Sequence, residues 1–219
     1  MVKRICLLIT FFLMIPCASV AEELSEKHSK AGRWGLHVAL PWVNNFYVKP
    51  DGEKTKHITG FIGSAVGLDY YYLENSFINL GISGVMDFFL PIPVPSDPSP
   101  GSFNENVASG HISLSNNHHI GKFTVGYGFA YAGILWNANC FEGETLDETS
   151  EKSCEDSHRT GRKSHSALGL IFPVYYRVIK NFGVGIVYRP TFYRRNTSTD
   201  KFEYEHLISF EMVFKSIWR

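Results

Sequence analysis

Large apolar residues alternate with small or polar ones along almost the whole chain after its first two dozen residues. Period two is the signature of a strand, because successive side chains leave a strand on opposite faces. Residues 33–43 put Trp34, Leu36, Val38, Leu40 and Trp42 on one face and Gly35, His37, Ala39 and Pro41 on the other. Residues 59–73 set Ile62, Val66, Leu68, Tyr70 and Tyr72 against Gly63, Ala65, Gly67 and Asp69. Residues 77–90 set Ile78, Leu80, Ile82, Met86 and Phe88 against Asn79, Gly81, Ser83 and Asp87. The same division returns in 107–117, 122–136, 164–179, 182–194 and 203–218, which predicts about eight strands.

The connections alternate too. Short turns are expected at 74–76, 118–121 and 180–181, and longer polar segments at 48–57, 91–106, 138–163 and 195–201. Tight turns at one end and loops at the other describe an up-and-down meander. An even strand number returns both termini to the turn end. The expectation is an all-β chain: a closed up-and-down antiparallel barrel in one domain, 22–219.

The residues before that domain form an export signal. Lys3 and Arg4 precede an apolar stretch, 5–15, too short to span a bilayer, and Pro16 ends it. Ala18-Ser19-Val20-Ala21 offers small residues for a peptidase, so cleavage is expected after Ala21. A lipid anchor on Cys17 is the alternative, and Pro16 before it is poorly suited. Cleavage leaves Cys140 and Cys154, in one polar loop of an exported chain, and a disulfide between them is the default. The chain has no CxxC and no Cys/His zinc spacing, so no metal or cofactor is expected. Its 21 basic and 21 acidic residues cancel, which argues against a nucleic-acid partner.

Which face of such a barrel points outward decides where it lives. An eight-stranded barrel has an interior just wide enough for side chains. The bulky Phe, Tyr, Leu, Ile and Val face would not fit inside, whereas glycine and alanine leave room there for longer polar groups. The small face also carries ionisable residues: His37, Asp69, Asp87, His111, Arg177, Arg189, Glu205, Glu211 and Lys215. The apolar face is therefore expected toward lipid, and closure satisfies the backbone where no water is present. Trp34, Trp42, Tyr70, Tyr72, Trp136, Tyr176 and Trp218 near strand ends suit interfacial girdles.

This pattern resembles the small eight-stranded outer-membrane β-barrels typified by OmpA and OmpX, over essentially the whole exported chain. Phe210, Met212, Phe214 and Trp218 resemble the alternating aromatic terminal strand by which such barrels are recognised for assembly, although Arg219 is the last residue. The resemblance implies a monomer in the bacterial outer membrane, with short periplasmic turns and longer extracellular loops.

Four functional features follow. His37, Asp69, Asp87, Arg177, Arg189, Glu205 and Glu211 are expected to form an interior polar network that plugs the lumen; a gated pore is the competing outcome. His111 and Ser113 are weak catalytic candidates. They resemble the His-x-Ser pair of outer-membrane lipid A deacylases, but Leu114 stands where that family has Asn, and both have inward phase. Gly32-Arg33-Trp34 resembles the opening of a lipocalin, a soluble small-ligand binder, which the long loops and polar inner face oppose. The remaining expectation is contact with an extracellular macromolecule or surface through 91–106, rich in proline, and 138–163, with seven carboxylates.

Overall fold

The computed structural model describes residues 30–87, 103–140, 161–195 and 200–218. The signal segment, Cys154 and most of the two longest loops lie outside the described residues, and so does the proposed Cys140–Cys154 bridge. The described chain is β1 Arg33–Val48, β2 Lys56–Phe61, β3 Gly63–Leu73, β4 Ser76–Met86, β5 Phe103–Ile120, β6 Phe123–Cys140, β7 Gly161–Ile179, β8 Phe182–Arg195 and β9 Asp200–Trp218. Pairing is antiparallel throughout, and β1 pairs β9 to close the ring. Segments β2 and β3 lie end to end against β1 and form one strand interrupted at Ile62, so the barrel has eight staves.

The turn end consists of Glu74-Asn75, Gly121-Lys122 and Lys180-Asn181. Gly121 has φ 62°, the left-handed conformation that a two-residue hairpin turn needs. At the other end the strands run further than the alternation alone suggests. Strand β7 has 19 residues. At about 3.3 Å per residue and a tilt near 40°, such a strand stands roughly 45 Å tall, against a lipid-facing band of about 25 Å in outer-membrane barrels. The excess lies toward the loops.

The two faces separate cleanly through the middle of the wall. On β6, Phe129 is 73% exposed while its neighbour Ala130 is 2% exposed. Val66, Leu68, Leu80, Ile82, Ile112, Leu114, Leu168, Ile186, Ile208 and Phe210 all face outward. A soluble monomer rarely exposes an apolar belt of that extent.

Two irregularities shift the alternation. Strand β1 bulges between Pro41 and Val43, with Trp42 as the extra residue against β9. Opposite it, Ile62 has φ 66° and donates its amide to Trp42 O at 3.1 Å. Proline lacks the amide a ladder needs, so a bulge suits Pro41. Beyond it the inward parity changes, and Asn44, Phe46 and Val48 are buried. The second bulge, at Phe192, separates the pairs Leu168–Tyr193 and Gly169–Thr191. It brings Arg194 onto the inner face, where it is 1% exposed.

One girdle residue is corrected. Trp136 is 2% exposed inside the barrel, packed with Phe46, Val85, Val107, Ile134 and Leu207. Its parity on β6 is that of Ala130 and Ala132, both buried. Trp34, Trp42, Tyr70, Tyr72, Tyr176 and Trp218 do face outward.

Candidate functional site

Buried polar side chains gather in the lumen at three levels, with apolar clusters among them. The middle level turns on Glu211 of β9. Arg189 of β8 reaches its Oε1 at 2.7 Å, and the Tyr175 hydroxyl donates to Oε2 at 3.0 Å. Tyr175, Gly185 and Glu211 are cross-strand partners in one row. A Cβ on Gly185 would come within 2.3 Å of the Tyr175 ring, so only glycine lets that ring cross β8 to the carboxylate. Arg189 also donates to Ser209 Oγ at 3.1 Å. His37 sits edge-on to the Tyr175 ring, 5.6 Å between centroids. Apolar neighbours Ala39, Ala130, Ile171, Val187 and Val213 complete this layer.

The loop-end level turns on Arg194 and Glu205. Glu205 Oε2 meets His165 Nε2 at 2.7 Å, both side chains buried. Arg194 reaches Glu203 at 3.0 Å, Glu205 at 3.9 Å and Asp51 at 3.2 Å. Residues 49–55 belong to this cluster. Arg194 donates to Lys49 O at 2.6 Å, and the Lys49 amide donates to Glu205 Oε1 at 2.8 Å. Asp51 also pairs with Lys201 at 3.1 Å, and Glu53 pairs with Lys163 at 3.3 Å. Lys56 pairs with Glu105. The ammonium groups of Lys56 and Lys163 lie 5.9 Å and 5.6 Å from the Trp136 ring, where its π face attracts cations. The segment between β1 and β2 is thus tied across the mouth by side chains of three other strands, β7, β8 and β9.

The turn-end level is simpler. Lys215 pairs with Asp69 at 3.3 Å, and Asn79 donates to Asp69 Oδ1 at 2.6 Å. The Lys215 ammonium stands 4.1 Å from the Phe77 ring centroid, and the Tyr71 ring lies tilted against Phe77 at 4.9 Å.

The residues named from sequence therefore divide. Asp69, Arg189, Glu205 and Glu211 are buried on the inner face, but at three separate levels rather than in one network. Arg177 has the inward parity of Tyr175 but lies past the end of the lumen. It is exposed and donates to Gly121 O at 3.3 Å. Asp87 is half-buried at the end of β4, where its amide donates to Val107 O at 2.7 Å, apart from the three levels. His111 and Ser113 share the inner face of β5. His111 shares a small interior pocket with Ser109, Arg189 and Thr191, so its charged neighbour is a guanidinium rather than the carboxylate that orients a general base.

Sequence reading missed Arg194, His165 and the ion pairs of 49–55. His165 has the parity of Ala167 and lies within the 164–179 strand, so the alternation already held the information to place it inside. Arg194 has outward parity, and only the bulge at Phe192 reverses it.

No family model and no curated protein matches this sequence. Solved structures do resemble it. The attachment invasion locus protein Ail of Yersinia pestis superposes with a TM-score of 0.52 at 9% identity, over 85% of this chain and 99% of Ail. Ail in complex with the heparin analogue sucrose octasulfate gives 0.50 at 7% identity over 85% and 99%. Neisserial surface protein A gives 0.45 at 11% identity over 84% and 97%. At such identities the likeness concerns the fold, which is that of the small outer-membrane β-barrels.

Proposed function

We propose, from the premise of a small outer-membrane barrel fold, that this chain is an integral protein of a Gram-negative outer membrane that works through its extracellular loops. On this reading residues 1–21 are the export signal, cleaved after Ala21, and the turn end faces the periplasm. The lumen is plugged by the chain's own side chains.

One observation carries the reading: residues 49–55 are ion-paired to the loop-end lumen through Asp51 and Glu53 and hydrogen-bonded to it through the main chain of Lys49. With the mouth crossed in this way and the outer face apolar, the chemistry left to meet a partner lies in 91–106 and 138–163. The neighbour Ail is named for attachment and invasion and was solved with a heparin analogue. A surface-contact role is the parallel reading here. The seven carboxylates of 138–163 favour a cationic partner surface over a polyanion. A Cys140–Cys154 disulfide would staple that loop.

Planar-bilayer recording of the purified protein tests the plug. The expected record shows no large, stable channels; steady large conductance would replace the plug with a pore. Deleting residues 141–153 should leave the barrel folded, and a folding failure would make that loop structural instead.

A further inference from the structure

The outward rings do not stop where the lipid band ends. Ile208 stands ten residues above Trp218 along β9. At about 3.3 Å per residue and a tilt near 40°, that is roughly 25 Å, the height of the lipid-facing band. His206, Tyr204 and Phe202 follow at roughly 30, 35 and 40 Å on the same scale. Tyr47 of β1 is the cross-strand partner of both His206 and His57 of β2, which brings those rings to the same level. An interfacial girdle accounts for rings at the edge of the band, not for rings above it.

These upper rings touch one another. Tyr47 stacks on His206 at 4.9 Å and meets His57 edge-on at 4.8 Å. Tyr204 lies 5.4 Å from His206 and 5.8 Å from Phe192 of β8, and its hydroxyl shares a hydrogen bond with that of Tyr188. Phe202 is 85% exposed. The surface is also one-sided. Eleven to fifteen residues above the Gly121-Lys122 turn, the outward positions are Gly110, Ala108 and Asn106 on β5 and Gly133, Leu135 and Asn137 on β6. A girdle encircles a barrel, whereas an exposed patch confined to β8, β9, β1 and β2 marks a contact.

The patch joins the lipid-facing wall through Ile208 and its cross-strand partner Tyr188, so its neighbour is the layer directly above the acyl chains. A phospholipid headgroup layer is about 5–7 Å deep on each side of the hydrocarbon. Rings that reach roughly 15 Å above the band meet a taller headgroup. Flat ring faces suit the C–H faces of a sugar, and the tyrosine hydroxyls and imidazoles can bond its hydroxyl groups.

We propose that this wall, centred on Tyr47, Tyr204 and His206, binds the sugar headgroup of a glycolipid in the extracellular leaflet. The proposal rests on the outer-membrane reading above, and not on what the loops contact.

Diglucosyl diacylglycerol, a neutral lipid with two sugar rings, is the probe. It is titrated against the folded protein in amine-oxide detergent, and bound lipid is counted by native mass spectrometry. Saturable binding is expected, at least tenfold tighter than that of phosphatidylcholine and at least tenfold weaker in Phe202→Ala/Tyr204→Ala. Tyr131→Ala, on the outer face of β6, should leave it unchanged. Phe202 and Tyr204 are exposed, so unboiled gel mobility should show the double variant folded. Equal affinity for the two lipids, or for the double variant and its parent, overturns the proposal. A dimer without sugar preference that the double variant separates makes a second copy of the chain the occupant, and overturns it as well. Either result in a protein that keeps its heat-dependent shift leaves the outer-membrane reading standing; a parent protein with no such shift overturns both.

Discussion

The two ends of the lumen handle charge in opposite ways. At the loop end Lys49, Lys56, Lys163, Arg194 and Lys201 each meet a carboxylate, and Arg194 meets three. At the turn end four cations line one open recess with Asp69 and Glu74 beside them. The difference separates two uses of a charged side chain. Charge answered within the chain fixes the barrel and the segment crossing its mouth. Charge set around an opening to water is screened there and contributes less to the fold.

Answered charge should therefore be expensive to disturb. Arg189→Met leaves the Glu211 carboxylate buried without its guanidinium, and removing one partner of a buried pair costs about 3–5 kcal/mol. Chemical unfolding in lipid vesicles should show that loss, and Arg189→Met/Glu211→Met should recover most of it. No recovery in the double variant would mean that shape, not charge, holds this level.

Next in size is the contrast between ends. Arg194→Gln removes a cation from Glu203, Glu205 and Asp51, and should cost roughly 3 kcal/mol on the same scale. Lys215→Gln leaves Asp69 its hydrogen bond from Asn79, so a loss of about 1–3 kcal/mol is expected. Equal losses at both ends, measured by the same unfolding transition, would erase the distinction.

The wall between them sets a third expectation. A Cβ on Gly128 would lie 2.1 Å from Leu114 O and 2.5 Å from Ser115 Cα, both backbone atoms that have no rotamer to yield. Gly128→Ala should destabilise by about 1–3 kcal/mol, as overpacking does. Smallest is Lys201→Ala. Its pairs with Asp51 and Glu203 are exposed on the lysine side and screened by water, so no measurable change in the unfolding midpoint is expected.

The sequence made the wall legible and the interior only partly so. Phe129 beside Ala130 shows why. Facing lipid or lumen is a choice of parity, and parity survives along any regular stretch. The same rule placed Asp69, Arg189, Glu205 and Glu211 inside. It also had the information to place Trp136 inside, where residue type suggested a girdle. Parity fails where the ladder slips. The Trp42 bulge and Ile62 turn Asn44 and Phe46 inward, and the Phe192 bulge does the same for Arg194, the hub of the loop-end cluster. No composition rule marks those positions in advance, although Pro41 hints at the first. Arg177 shows the other limit, since parity gives a face but not a depth. One to two residues further along β7 than Tyr175, the inner face has already become the rim.

The central claim is that the apolar face is lipid-exposed around a closed eight-stave ring. Gel mobility of unboiled against boiled protein, extracted with detergent from fractionated envelopes, tests it most directly. The account expects the protein in the outer-membrane fraction, with an unboiled band that shifts on heating as the barrel opens. A protein recovered in the soluble periplasm, with no heat-dependent shift, would contradict it.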